Sequence, residues 1–126
     1  MSDDADSSRA PGVSVEALRD ALREFAAARD WNQFHSPKNL AMALSAEAGE
    51  LLEVFQWLTE AQSRRLVPEA QAAASEEIAD VLLYLIRLAD ELGIDILDAA
   101  RRKLAKNAQK YPVDKARGHA RKYTDL

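Results

Sequence analysis

The stretch EEIADVLLYLIRLADEL, Glu76–Leu92, decides the fold. Ile78, Val81, Leu82, Leu83, Leu85, Ile86, Leu88 and Leu92 cover most of a helical circumference, while Glu77, Asp80, Tyr84 and Arg87 recur at spacings of three, four and three and form one polar stripe. A helix apolar on most of its sides must bury more than one of them, so the pattern predicts packing against its own chain and against a second copy. Pro68 opens this helix and Gly93 stops it.

Outward from it, the remaining punctuation is also helical. Ser14 precedes Val15, Leu18, Ala21, Leu22 and Phe25, which repeat at three and four residues and predict a helix over about 14–29. Ser36-Pro37 is a cap and first-turn pair for a second helix running to about Leu58, and Thr59-x-x-Gln62 reads as a capping box for a short helical turn. Asp95 caps a last long helix that reaches Lys110 before Tyr111-Pro112. With only 4 Gly and 4 Pro in 126 residues, sandwiches and barrels lack their turns. The expected fold is all-α, a four-helix-bundle type completed by association into a dimer or tetramer. Residues 1–12 are expected to be a disordered leader, 13–112 the folded domain, and 113–126 a basic tail.

Composition narrows the function. The chain has no Cys, which removes disulfides, thiolate nucleophiles and cysteine zinc sites, and only 2 His, which disfavours an all-histidine one. No apolar run approaches the roughly 20 residues that span a bilayer, and the acidic start MSDDADSSRAPG is unlike a secretory leader, so a cytoplasmic protein without a membrane partner is expected. Residues 1–100 carry 8 basic against 19 acidic side chains (net −11), and residues 101–126 carry 9 against 2 (net +7). The acidic body would repel a nucleic-acid polymer, which leaves a small anion as the ligand this asymmetry suits.

The candidate chemistry lies in carboxylates. Glu47 and Glu50 stand three apart on the second helix, and Glu77 and Asp80 three apart on the third, so each pair shares a helix face. Where the two faces meet, four carboxylates converge, and their repulsion calls for a cation. Oxygen ligands without His or Cys suit Mg²⁺, with Mn²⁺ as a substitute, and inward carboxylates from facing helices are a known way to build a metal site in a bundle. The competing reading is an ordinary solvated face. Gly49, between the two glutamates, costs a helix interior about 1 kcal/mol relative to Ala; a closely approaching backbone would explain it, or it answers to no particular constraint. His35 and Ser36 have no nucleophile elbow near them, and glycine-rich phosphate loops are missing, so phosphates would be met by metal and by Lys or Arg.

Arg29-Asp30-Trp31-Asn32-Gln33-Phe34-His35-Ser36-Pro37-Lys38-Asn39-Leu40, Glu47-Ala48-Gly49-Glu50-Leu51 through Phe55-Gln56-Trp57, and Glu76-Glu77-Ile78-Ala79-Asp80-Val81-Leu82-Leu83-Tyr84-Leu85 together resemble the MazG-like all-α nucleoside triphosphate pyrophosphohydrolases, and most nearly their dCTP pyrophosphatase branch. The resemblance runs from about Phe25 to the C-terminus. It implies hydrolysis of a nucleoside triphosphate, dCTP or a modified dCTP, to the monophosphate and pyrophosphate. It further implies Glu47, Glu50, Glu77 and Asp80 as the Mg²⁺ ligands, with Glu47 or Glu50 also accepting the proton of the attacking water. Lys103, Asn107, Lys110 and Tyr111 correspond to the family's basic segment for triphosphate and sugar, and Trp31, His35, Trp57 and Tyr84 are assigned to the base. Two positions depart from the pattern: Ala108 follows Asn107 where the family often has Arg, and Leu22 stands where some dCTP-specific members have a base-contacting His. The alternatives are the same chemistry on dUTP or a damaged nucleotide, or a helical interaction module without activity.

Overall fold

The structure, a computed structural model, describes residues 14–126; the leader expected over 1–12 lies outside them. The described residues form α1 (Val15–Ala28), α2 (Pro37–Phe55), the single turn α3 (Glu60–Ser63), α4 (Pro68–Glu91), α5 (Ile96–Lys110), the single turn α6 (Val113–Ala116) and a 3-10 turn (Tyr123–Asp125). No strand occurs among them, and none of their helices is long and apolar enough to cross a membrane. The chain divides into two compact units, one ending at Gly93 and the other spanning Ile94–Leu126.

Each long helix starts where a side chain accepts from one of its first N–H groups or a proline at the first position removes one of them. Ser14 accepts from Ala17 N at 3.0 Å, Ser36 from Asn39 N at 3.2 Å, and Asp95 from Asp98 N at 3.0 Å. Thr59 and Gln62 close the reciprocal capping box, at 3.1 and 2.9 Å. Forcing Thr59 into extended backbone (ψ 164°) ends the preceding helix early, so α2 stops at Phe55 rather than near Leu58. The C-terminus of α1 is a Schellman turn: Trp31 N donates to Ala26 O and Asp30 N to Ala27 O, with Asp30 left-handed at φ 55°. That turn reverses the chain and presents Trp31 to His35 beside α1. Gly93 ends α4 in the same left-handed region, at φ 67°.

Within the first unit α4 is the central element, packed by α2 and by α1. Three alanines, Ala26, Ala74 and Ala89, are buried, and Leu40 and Ile86 are the largest fully buried side chains. Burying each of those two contributes roughly 1.5–3 kcal/mol. Arg23 of α1 grips Asp90 of α4 through two hydrogen bonds, Nε to Oδ2 at 2.7 Å and Nη2 to Oδ1 at 2.5 Å. The apolar circumference of α4 is only partly used: Ile78 remains 55% exposed, and Leu82 and Leu85 40% each. A Cβ at Gly49 would meet nothing within 4 Å, so packing within this chain does not require a glycine there.

In the second unit the tail after α5 contains short turns. Pro112 and Val113 start the single turn α6, and Tyr123 stands edge-on to Tyr111 with ring centroids 6.1 Å apart.

Candidate active site

The face shared by α2 and α4 carries the carboxylates. One oxygen each from Glu47, Glu77 and Asp80 lies within 4.8 Å of the other two, and Glu47 and Glu77 are half-buried. The Oε2 atoms of Glu47 and Glu77 are each shut off from solvent with no hydrogen-bond partner. A buried carboxylate oxygen without a donor is costly, and two of them beside a third carboxylate, Asp80, cost more, so this arrangement suits a cation. The electrostatics say the same: burial, contacts with the Glu50 and Glu77 carboxyls, and the charges of Glu50 and Asp80 push Glu47 up to about 7. Burial is also the largest cause raising Glu77, with Glu50 and Asp80 adding to it and the Glu47 contact opposing. Glu50 is exposed and outside the tightest set, although its carboxyl is close enough to help raise Glu47. The donor set is all oxygen, which fits a hard divalent cation.

Beside this cluster lies a cavity of about 400 Å³ between α1, the Trp31–His35 loop and α4. Leu22, Phe25, Trp31, His35, Leu83 and Tyr84 line it, and Asp80 borders it, so one residue belongs to both the acidic cluster and the cavity. Trp31 meets Phe25 and His35 edge-on, with centroids 5.6 and 6.1 Å apart. The cavity therefore brings together Trp31, His35 and Tyr84 of the expected base-contacting set. Trp57 does not line it and stands 87% exposed in the turn after α2. Lys103, Asn107 and Lys110 lie at i, i+4 and i+7 on α5, on one face of that helix, and the Lys110 ammonium sits 4.8 Å from the centre of the Tyr123 ring.

Sequence reasoning missed Arg87. Its period places it in the polar stripe with Glu77, Asp80 and Tyr84, yet it is 5% exposed and lines the cavity. The available signal was a lone guanidinium in an otherwise apolar run, which is tolerated only where every donor finds a partner.

The comparisons with known proteins identify the family. A family model described as the MazG-like family matches residues 42–126. The dCTP pyrophosphatase 1 of Rattus norvegicus is 47% identical over 118 residues, spanning 92% of this chain and 69% of the relative, and that of Homo sapiens is 44% identical over the same shares. A crystal structure of a pyrophosphatase from Archaeoglobus fulgidus superposes with a TM-score of 0.73 at 45% identity, covering 77% of this chain and 91% of that one. On these matches, and with an all-helical fold, the chain belongs to the MazG-like family.

Proposed function

We propose that the protein is a Mg²⁺-dependent nucleoside triphosphate pyrophosphohydrolase that converts dCTP, or a modified dCTP, to the monophosphate and pyrophosphate. The observation that carries the reading is the juxtaposition at Asp80 of an acidic cluster with orphaned buried oxygens and a cavity walled by Trp31 and Tyr84, in a chain 44–48% identical to dCTP pyrophosphatases. Glu47, Glu50, Glu77 and Asp80 would hold the ion, whose chemistry is to neutralise phosphate charge and acidify water. Glu47 or Glu50 is the residue assigned to take the proton from the attacking water. Trp31, His35 and Tyr84 hold the base in the cavity. The family resemblance assigns Lys103 and Lys110 to anionic oxygens, and Asn107 and Tyr111 to the sugar. Pyrophosphate release from a panel of triphosphates with Mg²⁺ tests this, with dCTP or a modified dCTP expected to lead. A different leading base would assign the same chemistry to dUTP or a damaged nucleotide, and no release from any would return the acidic face to an interaction module.

Association completes the reading. Ile78, Leu82 and Leu85 remain open on α4, Trp57 is almost fully exposed, and only two large side chains are fully buried in the chain as described, which is what a protomer of a homo-oligomer leaves for its partner. Light scattering should give a multiple of 14.0 kDa at micromolar concentration. Leu82→Asp or Leu85→Asp should disrupt assembly or folding, because an unpaired charge buried in an interface costs several kcal/mol. A monodisperse monomer from the parent chain would refute the assembly.

A further inference from the structure

We infer that Arg87 is a positioning residue that fixes the tautomer of His35, so that the nucleoside cavity is offered the imidazole Nε2–H, a hydrogen-bond donor. Arg87 Nε donates to His35 Nδ1 at 3.2 Å. A guanidinium nitrogen has hydrogens and no acceptor, so that contact requires a bare lone pair on Nδ1, and the neutral ring then carries its one proton on Nε2.

Arg87 cannot easily turn away. Its Nη2 donates to Asn32 Oδ1 at 2.7 Å and pairs with Glu91 Oε1 at 3.1 Å, while Nη1 lies 3.6 Å from Asp90 Oδ2. Asp90 is itself held by Arg23, so the guanidinium is locked from α1, from α4 and from the loop after α1. The ring it addresses is braced in turn by the edge-on contact with Trp31. A permanent cation against Nδ1 also opposes a second proton on the imidazole. Burial and Arg87 lower the His35 pKa, and Glu91 only partly opposes them.

The consequence is a chemical preference. His35 and Arg87 both line the cavity with Phe25, Trp31 and Tyr84, whose walls are otherwise mostly apolar. A Nε2–H donor there pairs with a carbonyl oxygen or a bare ring nitrogen of a pyrimidine and offers nothing to an exocyclic amino group. For cytosine, His35 thus serves the O2/N3 edge and not the 4-amino group. This assignment of a ligand rests on reading the cavity as the nucleoside subsite; the tautomer itself does not.

The test therefore has two arms. Long-range ¹H–¹⁵N correlation spectra of the free, labelled full-length protein at neutral pH, with His35 identified by loss of its signals in His35→Asn, should show a neutral ring protonated at Nε2. A ring protonated at Nδ1, or at both nitrogens, overturns the inference whatever the enzyme does. In the second arm, Arg87→Met should populate the Nδ1–H form and raise KM for dCTP about tenfold with kcat nearly unchanged, the size of one hydrogen bond to substrate. Should that variant not fold, His35→Asn, which keeps an acceptor near Arg87 but removes the cavity donor, should raise KM by a similar factor, and His35→Gln, which restores an N–H near the Nε2 position, should recover part of it. Equal KM in parent, Asn and Gln variants overturns the substrate contact. A parent inactive on every triphosphate would count against the enzymatic reading and leave the tautomer result standing.

Discussion

Asp80→Asn and Glu50→Gln should each lower triphosphate hydrolysis by roughly 10²–10³-fold while leaving the protein folded. Each change keeps the volume of the side chain nearly constant and removes only its charge. In Asp80 that charge belongs to a set of oxygens within 4.8 Å of one another, and it also borders the aromatic cavity, so its loss touches both ion and substrate. In Glu50 it belongs to one of the two carboxyls assigned to the water's proton. Folding should survive because neither carboxylate is held by a salt bridge in the described chain, and because removing one negative charge relieves the neighbours that now raise Glu47 and Glu77. Asp98→Asn is the matched control. Asp98 pairs with Arg102 at 3.0 Å and Arg101 at 3.5 Å on the exposed side of α5, where such pairs contribute about 0–1 kcal/mol, so turnover should stay within a few fold. Parent-like rates in both amide variants, with circular dichroism unchanged, would reduce the carboxylates to a solvated face.

What was legible in the sequence was what is decided locally. Ser14, Ser36, Thr59 with Gln62, Asp95, Pro37, Pro68 and Gly93 place the helix ends within a turn, because capping is a matter of three or four residues. The pairing of Glu47 with Glu77 and Asp80 was legible for a related reason: i, i+3 spacing fixes a face, and two acidic faces in one small bundle have few ways to avoid each other. Depth was not legible. Arg87 shares its stripe with Asp80 and Tyr84 by period, but its burial depends on Asn32 and His35, more than fifty residues earlier in the chain. Periodicity gives the direction of a side chain and says nothing of what another element lays over it. Trp57 shows the same gap from the other side, since a tryptophan after an apolar helix reads as core or base contact and is 87% exposed within the single chain, where packing by its own helices does not decide what covers it. Glu50 shares a face with Glu47, yet the tightest oxygen set draws one residue from α2 and two from α4, a choice made by helix packing rather than by spacing.

Mg²⁺ should stabilise the protein, and more so as the pH rises. At about 100 times its dissociation constant an ion that binds only the native state adds roughly 2.7 kcal/mol. The pH dependence follows from the carboxylates. Glu47 lies at about 7 in the folded chain, against an ordinary 4.5, and Glu77 is also raised. Between those values the metal-free native state binds protons that the unfolded chain has released, so their contribution is fully present below pH 4.5 and is lost as the pH climbs through about 7. Asp90 has the opposite sign: Arg23 holds it below its ordinary 3.8, so its contribution is present above that value and lost only on further acidification. His35, lowered from 6.5, also favours the folded state as the pH rises towards 6.5, which makes subtraction of a Glu47→Gln variant necessary to isolate the carboxylate arm. The parent-minus-variant stability without metal should therefore decline from pH 5 to pH 8. Binding the ion displaces those same protons, so the increment from Mg²⁺ should grow over that interval, as metal affinity does wherever ligands must be deprotonated. Urea unfolding in EDTA and in millimolar Mg²⁺, at pH 5, 6, 7 and 8, measures both slopes. Curves that coincide with and without Mg²⁺ at every pH, nucleotide present or not, would rule out the metal site, since a cation held by Glu47, Glu77 and Asp80 cannot leave the folding equilibrium unmoved.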